Sequence, residues 1–510
     1  MTGTARLAGV GALLALWQAL AWAGGGYLAA GPVGVVRWLW SNPGLVTRAA
    51  AVTLANAGWG LALGNGAAVL LAGLAILWPR LLPLVSGLAL TVFCLPLIAT
   101  GPILRVAMGP GEGPQIALAA LAVYYTTLIP LLAGLRAAPS AWLDLVRSHG
   151  RGRWAELVHV RARAALPYLL AGLQISAPAA ILGAMVAEFT GAERGLGVLT
   201  VRFSRDLDVP ALWGVATVAA AVSIALYAAI GWAGRRILAD PPPVILAPAR
   251  RIGGSPVRRA NQAALVAVVV LAIWWAGMEV LDLNRFFAKR PPDLLATLLW
   301  QPGTATALLA ATGQTIALAV PGYAAGLAGG AGLAVLLALA PALSALMTPL
   351  AVALRSIPIV TTAPLVVLLA GRGAAGTVSL VALMVFFPTF AACQQGLGQA
   401  PGPVLDLFRS YGAGPLRQIA EVRVPAMLPA LFASARMTVP AAVLAATVAE
   451  WLATGRGLGN LMAVSASVSD YAMLWLTVVA VTLVSGAFHA AVAAVERRIL
   501  AIFAPEQMAP

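Results

Sequence analysis

One stretch of this sequence occurs twice. LDLVRSHGRGRWAELVHVRARAALP begins at Leu143 and returns at Leu405 as LDLFRSYGAGPLRQIAEVRVPAMLP. PAAILGAMVAEFTGAERGLG, from Pro178, returns from Pro440 as PAAVLAATVAEWLATGRGLG. Both pairs stand 262 positions apart, and no gap is needed between them. A fixed repeat of this length decides the architecture before any local reading does: the chain carries two copies of one unit.

Each copy changes character along its length. In the first, Leu143, Val146, Gly150, Trp154 and Leu157 recur at steps of three and four, the spacing of one helix face. Asp144, Arg147, Arg151 and Glu156 fall on the other side. The second copy repeats the face with Leu405, Phe408, Gly412, Leu416 and Ile419, beside Asp406. An apolar run opened by Pro167 or Pro429 follows directly. A short amphipathic helix therefore leads into a buried span, which places it at a water boundary.

Composition supports a membrane protein independently. Hydrophobic residues make up 61% and charged residues 10%, where soluble domains carry about 25% charged. The formal net charge is +15. Its arginines lie in short loops between apolar runs, which reads as a topology signal and not as a nucleic-acid surface. Six apolar runs per half approach the ~20 residues a bilayer needs. They lie near 7–25, 54–77, 81–107, 115–135, 167–189 and 210–234, then near 263–281, 316–339, 343–369, 377–397, 429–451 and 472–496. The first could be a signal peptide, but its counterpart lies mid-chain, so it is read as a retained helix. The chain divides into a first half, 1–238, a Pro- and Arg-rich linker, 239–262, and a second half, 263–510. Glycines at four-residue spacing, Gly60 and Gly64, then Gly322, Gly326 and Gly330, suit close helix packing in lipid.

The two amphipathic loops, 140–166 and 402–428, resemble the coupling loop of the permeases of bacterial ATP-binding-cassette importers. That pattern is a Glu-Ala-Ala triplet, a glycine after three more residues, then nine residues to an apolar position and a Leu-Pro pair. Here Gly412 is followed by Val422 and then Val424-Pro425, and Gly150 by Val160. Asp144-Leu145-Val146 and Asp406-Leu407-Phe408 stand in place of the triplets. Leu166-Pro167 and Leu428-Pro429, with AEF or AEW and RGLG behind them, resemble the nitrate, sulfonate and taurine branch. The resemblance implies an all-α polytopic membrane protein of about 12 transmembrane helices, as two tandem six-helix repeats of the type I, MetI-like permease fold. It implies coupling to ATPase subunits through Asp144, Val146, Gly150, Trp154, Asp406, Phe408, Gly412 and Leu416. It also implies two partner ATPases, a homodimer, which bind ATP and magnesium, and a solute-binding protein on the opposite side. The expected location is a bacterial inner membrane, with both termini cytoplasmic. The solute would be small: an anion such as nitrate, a sulfonate or bicarbonate, or a vitamin or pyrimidine precursor. A secondary transporter with two parallel six-helix halves is the alternative.

The remaining residues give no catalytic set, no metal site and no cofactor site. Lys289 lies outside any Gly-Lys-Ser/Thr loop, and His149, His159 and His489 lack carboxylate or thiolate company. Candidate pathway or gate residues are fewer. Pro96 and Pro358 interrupt the third run of each half, where proline breaks a helix. Arg355 is the one charge in its run, with Thr361 and Thr362 beyond it. Glu188 and Glu450 lie at the outer end of the fifth run, each six residues before an arginine, Arg194 or Arg456. They are either functional carboxylates near the membrane or ion pairs that shape the Arg-Gly-Leu-Gly turn.

Overall fold

The computed structural model describes residues 11, 14–15, 17–19, 21–22, 30–238, 256–340 and 359–503. Arg355, Pro358 and most of the linker lie outside this set. The described residues are helical throughout, with no strand among them. A chain this apolar must satisfy its backbone internally, and helices do so segment by segment.

In the first half a short helix, α1 (Pro32–Ser41), precedes α2 (Pro43–Leu77). Next come α3 (Leu82–Cys94), α4 (Leu97–Met108) and α5 (Gly113–Arg136). The loop holds α6 (Ser140–Ser148) and a turn, α7 (Arg153–Glu156), which runs through a π-helical segment into α8 (Ala162–Phe189). Helices α9 (Leu196–Arg205) and α10 (Val209–Ile237) end the half. The second half repeats the order. It comprises α11 (Pro256–Val280), α12 (Pro291–Trp300), α13 (Thr304–Leu339), α14 (Ile359–Ala370) and α15 (Ala374–Gly398). Then follow α16 (Gly402–Ser410), α17 (Pro415–Gln418), α18 (Val424–Ala449), α19 (Gly457–Ser467) and α20 (Tyr471–Phe503).

Among the described residues nine helices are long and apolar enough to cross a membrane, or ten if one bent pair counts as a span. The other two runs read from the sequence, 7–25 and 343–369, fall largely outside the described residues. The bent pair is the run read from the sequence over 81–107, broken where Pro96 interrupts it. Helices α3 and α4 meet at 96°. Pro96 causes the break: Leu95 before it is held extended, at φ −65° and ψ 133°, and Pro96 itself becomes the N-cap of α4.

The packing is inverted relative to a soluble bundle. On α2 the buried face is made of small residues, among them Ala49, Ala57, Gly60, Gly64, Ala68 and Ala72, while Trp59, Leu63 and Leu70 point outward. In water such a face would be an aggregation patch; against lipid it costs nothing, and close backbone approach decides the interface. A Cβ on Gly64 would lie 2.5 Å from the Ala120 carbonyl of α5, and one on Gly326 2.6 Å from the Ala382 carbonyl of α15. The glycines therefore set α2 on α5 and α13 on α15.

The third segments pack across between the halves. Helices α3 and α4 pack on α11, α18 and α20, and α14 packs on α8, α9 and α10. One core results, in which Ile98, Leu118 and Val186 meet Ile359, Val385 and Val439.

Candidate functional site

The two loops fold alike, but not as the single continuous helix their periodicity predicts. Each first helix stops at a glycine in the left-handed region, Gly150 at φ 70° and Gly412 at φ 70°. The stop is a hydrogen-bonded one. Gly150 N–H donates to the Arg147 carbonyl at 2.8 Å and Arg151 N–H to that of Val146 at 3.2 Å. Gly412 and Ala413 repeat this with Arg409 and Phe408, both at 2.9 Å. A Cβ on either glycine would meet nothing within 4 Å. These glycines are therefore turn residues, not members of an apolar face.

The turn changes which residues are free to meet a partner. Leu143 packs inward with Ala138 and Val160, and Val146 lies against them. Leu405 and Ile419 are likewise buried, and Phe408 is half-buried. The outward apolar residues include Trp142, Leu145, Trp154 and Val158 in the first loop, and Val404, Leu407, Tyr411 and Leu416 in the second. Trp154 is 66% exposed and Tyr411 84%. Of the apolar residues read from the sequence as coupling positions, Trp154 and Leu416 face outward; Val146 and Phe408 support the loop from within. Trp142, Leu145, Leu407 and Tyr411 went unread because they stand among charged residues. Asp144 and Asp406 are exposed and paired within their own helix, to Arg147 at 3.3 Å and to Arg409 at 3.1 Å.

The first loop is also tied down by charge. Arg147 Nε lies 2.7 Å from the buried Glu156 carboxylate, joining α6 to α7, and this bond raises the Arg147 pKa above its ordinary value. Arg153 donates to the Leu77 carbonyl at 3.2 Å and Arg161 to that of Leu135 at 2.9 Å, the ends of α2 and α5. The second loop has Gln418 where Glu156 stands, and Gln418 donates to the Ala413 carbonyl at 2.8 Å instead.

At the opposite end of the fifth span the two carboxylates form a matched pair of networks. Glu188, 1% exposed, accepts from the Thr53 hydroxyl at 2.8 Å and from Gly197 N–H at 2.8 Å. Leu196 N–H donates to the same threonine at 2.9 Å. Glu450, also 1% exposed, accepts from Thr315 and from Gly459 N–H, each at 2.9 Å, and Leu458 N–H donates to Thr315 at 2.9 Å. Gly457 N–H adds a bond to Gln314 at 2.9 Å. Side chains distant in sequence thus satisfy the orphan donors that open α9 and α19. This corrects the ion-pair reading: Arg194 and Arg456 are exposed and make no ion pair among the described residues. The turn is shaped by hydrogen bonds to the carboxylate.

Among the described residues the other candidates lie apart from these networks, and Arg355 and Pro358 fall outside that set. Pro96 makes the α3–α4 bend. Thr361 is buried, and Thr362 donates to the Ile359 carbonyl of its own helix at 3.1 Å. The described residues hold no group of three or more metal-ligating side chains. A charge pair escaped the sequence reading: Arg436 Nε of α18 lies 2.7 Å from Glu496 of α20, an electrostatic contact not aligned as a hydrogen bond. The positions 262 earlier are Gln174 and Gly234, so the pair has no counterpart and the repeat gave no cue to it.

Comparison with known proteins bears on this geometry. The family described as binding-protein-dependent transport system inner membrane component matches twice, over residues 64–239 and 326–501. The "Probable ABC transporter permease protein" of Haemophilus influenzae is 37% identical over 204 residues, 39% of this chain and 80% of that protein. The "Riboflavin transport system permease protein RibX" of Chloroflexus aurantiacus is 25% identical over 46% of this chain and 88% of its own length. The "Formylaminopyrimidine transport permease protein ThiX" of Halalkalibacterium halodurans is 35% identical over 22% of this chain and 44% of its own. The first two relatives are each nearly used up by less than half of this chain, as two units in one chain require. No solved structure matches.

Proposed function

This chain belongs to the inner-membrane components of binding-protein-dependent transport systems, and from that premise we propose how its parts work. The two permease units, fused in tandem, form one translocation path for a small solute. Two ATPase subunits, a homodimer, dock on the loops at 140–166 and 402–428 and supply the ATP and magnesium chemistry. The observation that carries this reading is the duplicated outward patch: Trp142, Leu145 and Trp154 on one loop, Leu407, Tyr411 and Leu416 on the other. Each is an outward apolar patch of the kind that seats in a partner's groove. Asp144 and Asp406, beside the patches, hold the arginines that frame them.

Arginine distribution supports the orientation. Arg136, Arg147, Arg151, Arg153, Arg161 and Arg163 share the first loop's side, which positive-inside makes cytoplasmic. The opposite mouth, with α9 and α19, then receives solute from a binding protein. Drawing the loops together on ATP binding would rock the halves about the core they share. The relatives' names span riboflavin, formylaminopyrimidine, aliphatic sulfonates and betaines, so the proposed solute class is small, polar or aromatic.

Reconstitution tests the reading. In proteoliposomes with an ATPase and a binding protein encoded beside it, the chain should take up solute only with ATP and the binding protein. Uptake by the chain alone, driven by a proton or sodium gradient, would overturn it.

A further inference from the structure

A cleft of about 220 Å³ opens between the two halves at the mouth away from the coupling loops. Its walls come from α9 and the turn after it (Phe203, Ser204, Leu207), from the start of α10 (Val209, Leu212), and from α14 (Pro364, Val367, Leu368). Arg372 closes the rim from the turn between α14 and α15. Most of these lining residues are apolar, and the two with polar side chains are Ser204 and Arg372. The volume falls below the ~300 Å³ at which drug-sized pockets begin, so it suits a small solute.

The charge balance gives the ligand its sign. Among the described residues no carboxylate lines the cleft. The nearest in the adjoining turn are already used: Asp206 pairs with Arg202 at 3.8 Å, and Asp208 accepts from Ala211 N–H at 3.1 Å to cap α10. Arg372 is exposed and forms no ion pair among the described residues. On the proposed orientation it stands on the face where arginine is normally scarce. The repeat sharpens this. The positions 262 earlier or later replace Arg372 with Pro110, Ser204 with Ala466 and Leu207 with Ser469. Arg372 has no basic counterpart in the other half, which packing of a symmetric pair does not require.

We propose that this cleft is an outward-facing subsite for a small anion with an apolar body, a carboxylate or sulfonate, held by Arg372 and Ser204 with the body on Phe203, Leu212 and Leu368. The planar guanidinium matches either anion with two parallel hydrogen bonds. The assignment deepens the transport reading and rests on it for the solute's origin.

The probe is benzenesulfonate, with benzenesulfonamide as the neutral control. Ser204→Cys is labelled with a membrane-impermeant maleimide in nanodiscs of zwitterionic lipid; Cys94 and Cys393 are buried. Benzenesulfonate should slow labelling and benzenesulfonamide should not. Adding Arg372→Gln should raise the half-protecting concentration about tenfold or more, as loss of a charge-assisted hydrogen bond implies, and Arg372→Lys should restore part of it. Size-exclusion profiles check that each variant is folded. Equal protection by the neutral probe, or protection that survives Arg372→Gln, would overturn the assignment. So would a Ser204→Cys thiol already shielded in anionic-lipid nanodiscs, since a phospholipid headgroup would then be the occupant. No ATPase is present in this assay, so its failure leaves the docking of ATPases untouched, and failure of docking leaves the labelling result standing.

Discussion

The Thr53 hydroxyl reaches the Glu188 carboxylate at 2.8 Å across 135 residues of chain, and Thr315 reaches Glu450 at 2.9 Å across the same separation. One hydrogen-bond network has been kept twice in one molecule. In each copy the second span, the end of the fifth span and the helix after it are joined at a single buried point. Thr53→Val and Glu188→Ala should each lower the thermal midpoint of the purified chain, by the equivalent of about 1–3 kcal/mol for a buried group left unpaired. The double variant should cost less than the two singly, because both remove the same contact. Thr315→Val with Glu450→Ala should behave alike. Additive losses in either copy would show that the groups do not act together.

The loop glycines yield a prediction opposite to the one their helical spacing gives. With open space around both, the constraint at Gly150 and Gly412 is the backbone conformation alone. Alanine there should cost about 1–2 kcal/mol, the penalty of an L residue in the left-handed region. Asparagine, which visits that region readily, should restore most of the loss. Hydrogen exchange of the Arg151 and Ala413 amides would report the loosened turn. If asparagine proved as damaging as alanine, the glycine would instead be needed for close approach of a partner.

Sidedness follows from the same frame. Tyr411→Cys lies on a coupling loop and Leu207→Cys beside the cleft, and both positions are exposed. In intact spheroplasts an impermeant thiol reagent should label Leu207→Cys and spare Tyr411→Cys. In inverted vesicles the pattern should reverse. The opposite pattern in either preparation would invert the orientation.

Much of the architecture was legible because membrane constraints leave marks in sequence. Among the described residues length and apolarity located the spans, and the repeat paired them. The small-residue stripe on α2 and α13 also read correctly, since nothing larger than glycine fits at Gly64 or Gly326. What escaped depends on local turns and distant partners. Helical periodicity runs unbroken through Gly150, because spacing does not show that this residue has a positive φ. On α6 the apolar spacing marked Leu143 and Val146, which pack inward, so the outward Trp142 and Leu145 were missed. Glu188 has a nearby arginine in sequence but a threonine from another span in space. The bend at Pro96 was marked by the proline, but its size, 96°, was not.

The central claim is that ATPase subunits seat on two outward patches of this one chain. The most direct measurement is the amount of cognate ATPase retained by the affinity-purified chain. Leu145→Glu and Leu407→Glu should each reduce it, and the double variant should retain none. Leu281→Glu, exposed near the opposite mouth, should retain as much as the unaltered chain. Full retention by the double variant, with the chain still folded and inserted, would contradict the account.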